Sequence, residues 1–310
     1  MHWLDLVKRD PVPWLLDPTN PSVRLLTLRH VFKKPEESLE PERARLVSWT
    51  PIQSLLQHRD RVNFWGRSDN PYFGGQAGNL GTLYLLAQLG VPLFPELEPV
   101  CENLLNVGRR ADGCFALEED VGAPWLCYTG MALQTLWHFG YGDDLRARSA
   151  RTALTQVILL RPELLACPIA GGSCRWGVVK ALAALVRVPA GRRSADDEEA
   201  IHALSERLIS HAFDFGGREA DWLRPTFPRY YEADIVELCR VLAQTSCRTQ
   251  HRFQELLQQM LALQTEEGRW CKTHATPVFA EERIHQPSRW LTFEAANALM
   301  MTYGDSIYAA

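Results

Sequence analysis

The chain has 310 residues, 46% of them hydrophobic, and a formal net charge of −4. That suffices for a large core and argues against a surface built to bind a nucleic-acid backbone. No run of about 18 apolar residues predicts a transmembrane helix, and the opening "MHWLDLVKRDPVPWLL" lacks the basic start and apolar stretch of a signal peptide.

The first twenty or so residues are expected as an extended cap. Thereafter two kinds of helix alternate. "SVRLLTLRHVF" (22–32) is apolar on nearly every face, and 43–57 has one apolar stripe. The pattern continues with "NLGTLYLLAQLG" (79–90) and then 96–107. "PWLCYTGMALQTLWHFG" (124–140) precedes 144–160, and "WGVVKALAALVRVP" (176–189) precedes "EEAIHALSERLISHAF". "RYYEADIVELCRVLA" (229–243) is followed by "HRFQELLQQMLALQ", and "WLTFEAANALMMTYG" (290–304) comes last. A helix apolar all round is buried on all sides, whereas a one-stripe helix keeps a wet face. Six fully apolar helices at intervals of roughly fifty residues imply an inner ring inside an outer one. The expected fold is all-α, a closed (α/α)6 toroid in one domain.

After one outer helix stands "MLALQTEEGRWCKTH". Here Gln264 can bond carbonyls exposed at the helix end, Gly268 permits a turn, and Trp270 can plug the seam to the next repeat. Degenerate copies follow other outer helices, with Asp112, Gly113 and Phe115 in one and Gln57 and Trp65 in another. This QxxxGxW pattern resembles the repeat of squalene-type terpenoid cyclases, whose α/α-toroid fold is shared with the β subunits of protein prenyltransferases. The resemblance implies an isoprenoid-type ligand and cyclisation, another lyase or isomerase step, or transfer. The DxDD and DDxxD signatures of those enzymes are absent. The acidic strings "SADDEEA" and "GDDLR" instead open outer helices, where carboxylates suit the helix dipole. The prenyltransferase comparison suggests zinc at Asp112 and Cys114, but Trp125 and Leu126 stand where the third ligand should be. Cys271 and His274 form a second fragment at C-x-x-H spacing. Two ligands make a weak site, so no cofactor is expected. Eight scattered cysteines without a CxxC pair read as reduced core residues of a cytoplasmic protein.

The long links, 107–124, 161–174, 213–227 and 265–289, all lead from outer to inner helices and so share one rim. Binding sites gather on such loops. That rim also carries Arg24, Arg67, Arg175, Arg229 and Arg289 at the dipole-positive helix starts. Such cations call for internal acids (Glu232, Glu294, Glu118, Glu119 or Asp120) or for an anionic ligand. Tyr72, Phe73, Trp125, Tyr128 and Trp176 fall at the same helix ends. So do Phe227, Tyr230, Tyr231, Trp290 and Phe293, and some of these rings could line a cavity. Asp234 is the acid–base candidate, with a structural pairing to arginine as its alternative. His30 and His138 read as satisfied core histidines. The expected partner is a hydrophobic or amphiphilic small molecule with an anionic group. The rival readings are a carbohydrate hydrolase or lyase using Glu118, Glu119, Asp120 and Asp221, and a non-catalytic module that binds protein or lipid.

Overall fold

A computed structural model describes residues 2–60, 64–115, 125–161, 165, 174–210, 222–274, 276 and 278–304. The described residues are mostly helical, with one two-residue antiparallel strand pair, Trp270–Cys271 with Pro287–Ser288. Six helices form an inner ring: α2 (Pro21–His30), α5 (Asn79–Gln88), α7 (Leu126–His138), α9 (Arg175–Val186), α11 (Ile235–Leu242) and α13 (Arg289–Tyr303). α5 packs on α7, α7 on α9, α9 on α11, α11 on α13 and α13 on α2. The ring closes between α2 and the end of α5, where Ser22 Oγ donates to Leu89 O at 2.8 Å. Nearly every residue of α5, α7 and α9 is buried. The closest approach is at Gly130, where a Cβ would stand 2.4 Å from the Lys180 carbonyl.

The outer layer comprises α3 (Glu40–Ser48), α4 (Thr50–Gln57), α6 (Glu98–Val107), α8 (Leu145–Leu160), α10 (Ala195–Ser210) and α12 (His251–Ala262). The helix expected over 43–57 breaks at Trp49, whose backbone is extended. Pro51 has no N–H and its ring would clash with the carbonyl of Val47 in a continuous helix. That carbonyl accepts from Gln53 Nε2 instead. The N-terminal segment is not an extended cap. It forms a 3₁₀ turn over Trp3–Leu6 and the short helix α1 (Val12–Leu15), both packed on α13.

The crossings from outer to inner helices share one local design. Trp270 is fully buried and its Nε1 donates to Met260 O, near the end of α12; Trp65 Nε1 donates to Leu55 O, near the end of α4. The indole thus satisfies an outer-helix carbonyl, the task expected of Gln264. Gln264 instead clasps the N-terminal segment, accepting from Lys8 N and donating to Leu6 O. The backbone N–H of each seam aromatic donates to a polar side chain in the next inner helix: Trp270 to Thr292, Phe115 to Thr129 and Trp65 to Asn79. Gly268 and Gly113 both turn at positive φ, +69° and +93°. A Cβ on Gly268 would also stand 2.4 Å from Arg9 O.

Candidate functional site

The expected inner helix from residue 229 starts only at Ile235. Asp234 caps it, accepting from the amides of Val236 and Glu237. This stretch does not stay on the rim. Gln88, at the end of α5, donates to Arg229 O at 2.9 Å and accepts from Arg229 N at 3.2 Å. Phe227 stacks on Trp290 with centroids 4.8 Å apart. Residues 225–234 therefore dip into the lumen, and the starts of the inner helices lie behind them.

A central cavity of about 470 Å³ opens towards the opposite rim, where the inner helices end. Its apolar lining includes Leu26, Phe227, Trp290, Phe293, Met300 and Met301. Its charged lining, among the described residues, is Arg29, Lys33, Arg187, Arg229 and Arg240 with two carboxylates, Glu237 and Glu294.

Both carboxylates are engaged. Lys180, fully buried in α9, donates to the two oxygens of Glu237 at 2.9 and 2.8 Å. Burial pulls the Lys180 ammonium down, but the Glu237 charge, Tyr84 and the hydrogen bonds to Glu237 together outweigh it and the net direction is up. Glu237 lies 4.0 Å from Arg240, which lies 3.7 Å from Glu294. Glu294 accepts from Arg229, which binds Asp234 in a two-bond fork at 2.7 and 2.9 Å. Charge alternates along this chain from Lys180 to Asp234, and the signs balance.

Arg187 stands outside that balance. Among the described residues it has no ion pair and no hydrogen bond; its charged neighbours are Arg240 and Arg29, and burial together with their repulsion pulls its guanidinium down to about 10. His30 also borders the cavity without a hydrogen-bond partner among the described residues, its ring 5.9 Å from that of Phe293. Arg187 and His30 have large accessible fractions because they face the open cavity. Protein surrounds them nonetheless, so desolvation dominates their titration. Burial, then Arg29, Arg187 and Arg240, lowers His30 to about 4. His138 is satisfied on one side by Val91 O at 2.7 Å, and burial lowers it to about 3.

The residues singled out from the sequence divide between the two ends. Arg229, Trp290, Phe293 and Phe227 line the cavity. Tyr72, Trp125, Tyr128, Tyr230, Tyr231 and Trp176 form one run of ring contacts, with centroids 5.0–6.2 Å apart, at the starts of the inner helices. That run does not border the cavity; Trp176 borders a separate recess of about 290 Å³ with Arg224, Arg229 and Asp234. Phe73 is exposed and stacks with Arg67.

Most of the helix-start arginines have acids of their own: Arg24 pairs with Glu42, Arg67 with Asp69 and Arg289 with Asp17. Arg175 is also engaged. Arg24, Arg67 and Arg289 thus have internal acids, the alternative to an anion at these helix starts. Glu118, Glu119, Asp120 and Asp221 lie outside the described residues. Asp234 accepts five hydrogen bonds, from Arg229 twice and from the amides of Thr226, Val236 and Glu237. Its oxygens anchor Arg229 and cap α11, which is the structural alternative to proton transfer. Asp112 accepts from Cys114 N and pairs with Arg110. Burial and the Asp112 charge push the Cys114 thiol up to about 12, which opposes the thiolate form a metal needs. No described cluster of three His, Cys, Asp or Glu is placed to hold a metal ion. No described helix is long and apolar enough to cross a membrane.

The cavity's basic residues Arg29, Arg187 and Arg240 were not singled out from sequence, and His30 was assigned to the core. A cation in the last turn of a helix is ordinarily explained by the dipole alone. The signal within reach was Lys180, a lone charge in the apolar run "WGVVKALAALV", which demands a buried acid such as Glu237.

No protein-family model matches the chain, and no curated protein matches it in sequence. Among solved structures it is similar to the type II terpene cyclase MstE from Scytonema. Against the complex with merosterolic acid A, its product, identity is 14% and the TM-score 0.33, covering 87% of this chain and 99% of that one. The complex with geranylgeranyl dihydroxybenzoate, its substrate, gives the same values. The apo form gives 15% identity and a TM-score of 0.32, covering 86% and 98%.

Proposed function

We propose that this chain binds an amphiphilic anion in its central cavity. The apolar body lies along Phe227, Trp290, Phe293 and Met300, and the head group sits by Arg187, between Arg29 and Arg240. The observation that carries the reading is Arg187, a cation without a described partner in a cavity where cations already outnumber acids. With Lys33 set aside as engaged elsewhere, and the ion-pair partners Lys180, Asp234 and Glu36 added, Arg187 remains the excess cation among the described residues. Arg187 is crowded by the like charges of Arg240 and Arg29, and an anionic ligand relieves that repulsion. The cavity volume falls in the range of small-molecule sites, and a lining that combines aromatic and aliphatic side chains with several cations suits an amphiphile.

An isoprenoid-type body suits the rings of the α13 wall; the geranylgeranyl dihydroxybenzoate held by MstE is a molecule with an apolar chain and a polar head. Proton transfer by Asp234 would require breaking its bonds to Arg229 and to the α11 amides, so the geometry favours binding over conversion. The open lumen also counts against a purely structural module. Titration with dodecyl phosphate tests the proposal. Arg187→Ala is expected to weaken binding roughly 10–100-fold, the equivalent of one charge-assisted hydrogen bond of about 1.5–3 kcal/mol. An unchanged affinity in a folded variant overturns it.

A further inference from the structure

Resting on that reading, we propose that the cavity takes up a proton together with its anionic ligand, and that His30 receives it. His30 is the last residue of α2 and faces the lumen beside the head-group position. The groups around it come from every wall. Its own helix contributes Arg29, and the turn that follows contributes Lys33 and Glu36. α7 contributes His138, α9 Arg187, α11 Arg240 and Glu237, and α13 Glu294 with the ring of Phe293.

The acids in this set are committed elsewhere. Glu36 pairs with Arg29 and Arg43, Glu237 with Lys180, and Glu294 with Arg229. Desolvation first, and then the positive charge of Arg29, Arg187 and Arg240, lowers the imidazole to about 4 in the free protein. An anion bridging Arg29, Arg187 and Arg240 reverses the sign of that field and supplies an acceptor for a ring N–H. Both changes favour the imidazolium. His138 is placed less well, because Val91 O already engages one ring nitrogen.

The sign follows from linkage. The free protein holds no proton on His30 at pH 6, whereas the complex holds part or all of one. Affinity must then rise as pH falls from 8 towards 5, by up to about tenfold per pH unit, the limit for one proton taken up. The proton comes from solvent and leaves with the ligand, so no covalent step is involved.

1-Octanesulfonate, used below its micellar concentration, is a suitable probe because its head group does not titrate in this range. Calorimetry at pH 6 in buffers of different ionisation enthalpy reports protons taken up per ligand bound. The expected result is net uptake by wild type that vanishes in His30→Gln and persists in His138→Gln, with both variants keeping the wild-type melting temperature. Binding without uptake, or uptake that survives His30→Gln, overturns this inference and leaves the cavity reading standing. Failure of wild type to bind octanesulfonate at any pH between 5 and 8 overturns both.

Discussion

Arg229→Met is expected to destabilise the fold by about 3–5 kcal/mol, the usual result of removing one partner of a buried ion pair. Arg229 is 4% exposed and serves two acids at once, Asp234 through a fork and Glu294 through its remaining nitrogen. Methionine fills similar volume, so the loss is one of charge and hydrogen bonds rather than of packing. Asp234 would keep its amide donors but lose its cation, and Glu294 would face the lumen with only Arg240 at 3.7 Å. Arg229→Lys should recover little, because a single ammonium cannot reproduce the fork and reach Glu294 as well. Urea denaturation measures the cost; a loss below about 1 kcal/mol would mean that water enters freely behind residues 225–234.

The second large effect concerns Lys180 and Glu237. Lys180→Met strands a carboxylate that is 2% exposed, and a loss of about 3–5 kcal/mol is again expected. The double replacement Lys180→Met with Glu237→Leu removes both charges. It should recover most of that loss, since replacing a whole buried pair by apolar residues is often neutral or stabilising. The pair joins α9 to α11, and Lys180 also donates to Tyr84 Oη of α5 at 3.3 Å. If the double variant is no more stable than the single one, the pair acts through this wider network and not as a unit.

The ring was legible because burial is written along each helix. α5 and α9 are apolar all round, whereas α12 carries Phe253, Leu256, Leu257, Met260 and Leu261 on one buried stripe. The seams were legible in part: Trp65, Phe115 and Trp270 were recognised, but which backbone Gln264 would meet depends on the N-terminal segment, some 256 residues away in sequence. The cavity's location was not legible. Counting long links placed the site at the helix starts, and nothing in "RPTFPRYYEAD" announces that this link turns into the lumen. The Asp234 cap marks the late helix start, yet the direction the link takes is set by Gln88 on a distant helix. Asp234 was found for its burial beside an arginine, and the structure assigns that arrangement to anchoring.

The measurement that bears most directly on a lumen built to hold an anionic amphiphile is native mass spectrometry of protein purified from cells. Wild type and Trp176→Ala, altered at the opposite rim, are predicted to carry an acidic, mainly apolar small molecule, and Arg187→Ala to lose it. A bare wild-type chain, or a ligand that departs with Trp176→Ala and stays with Arg187→Ala, would contradict the account.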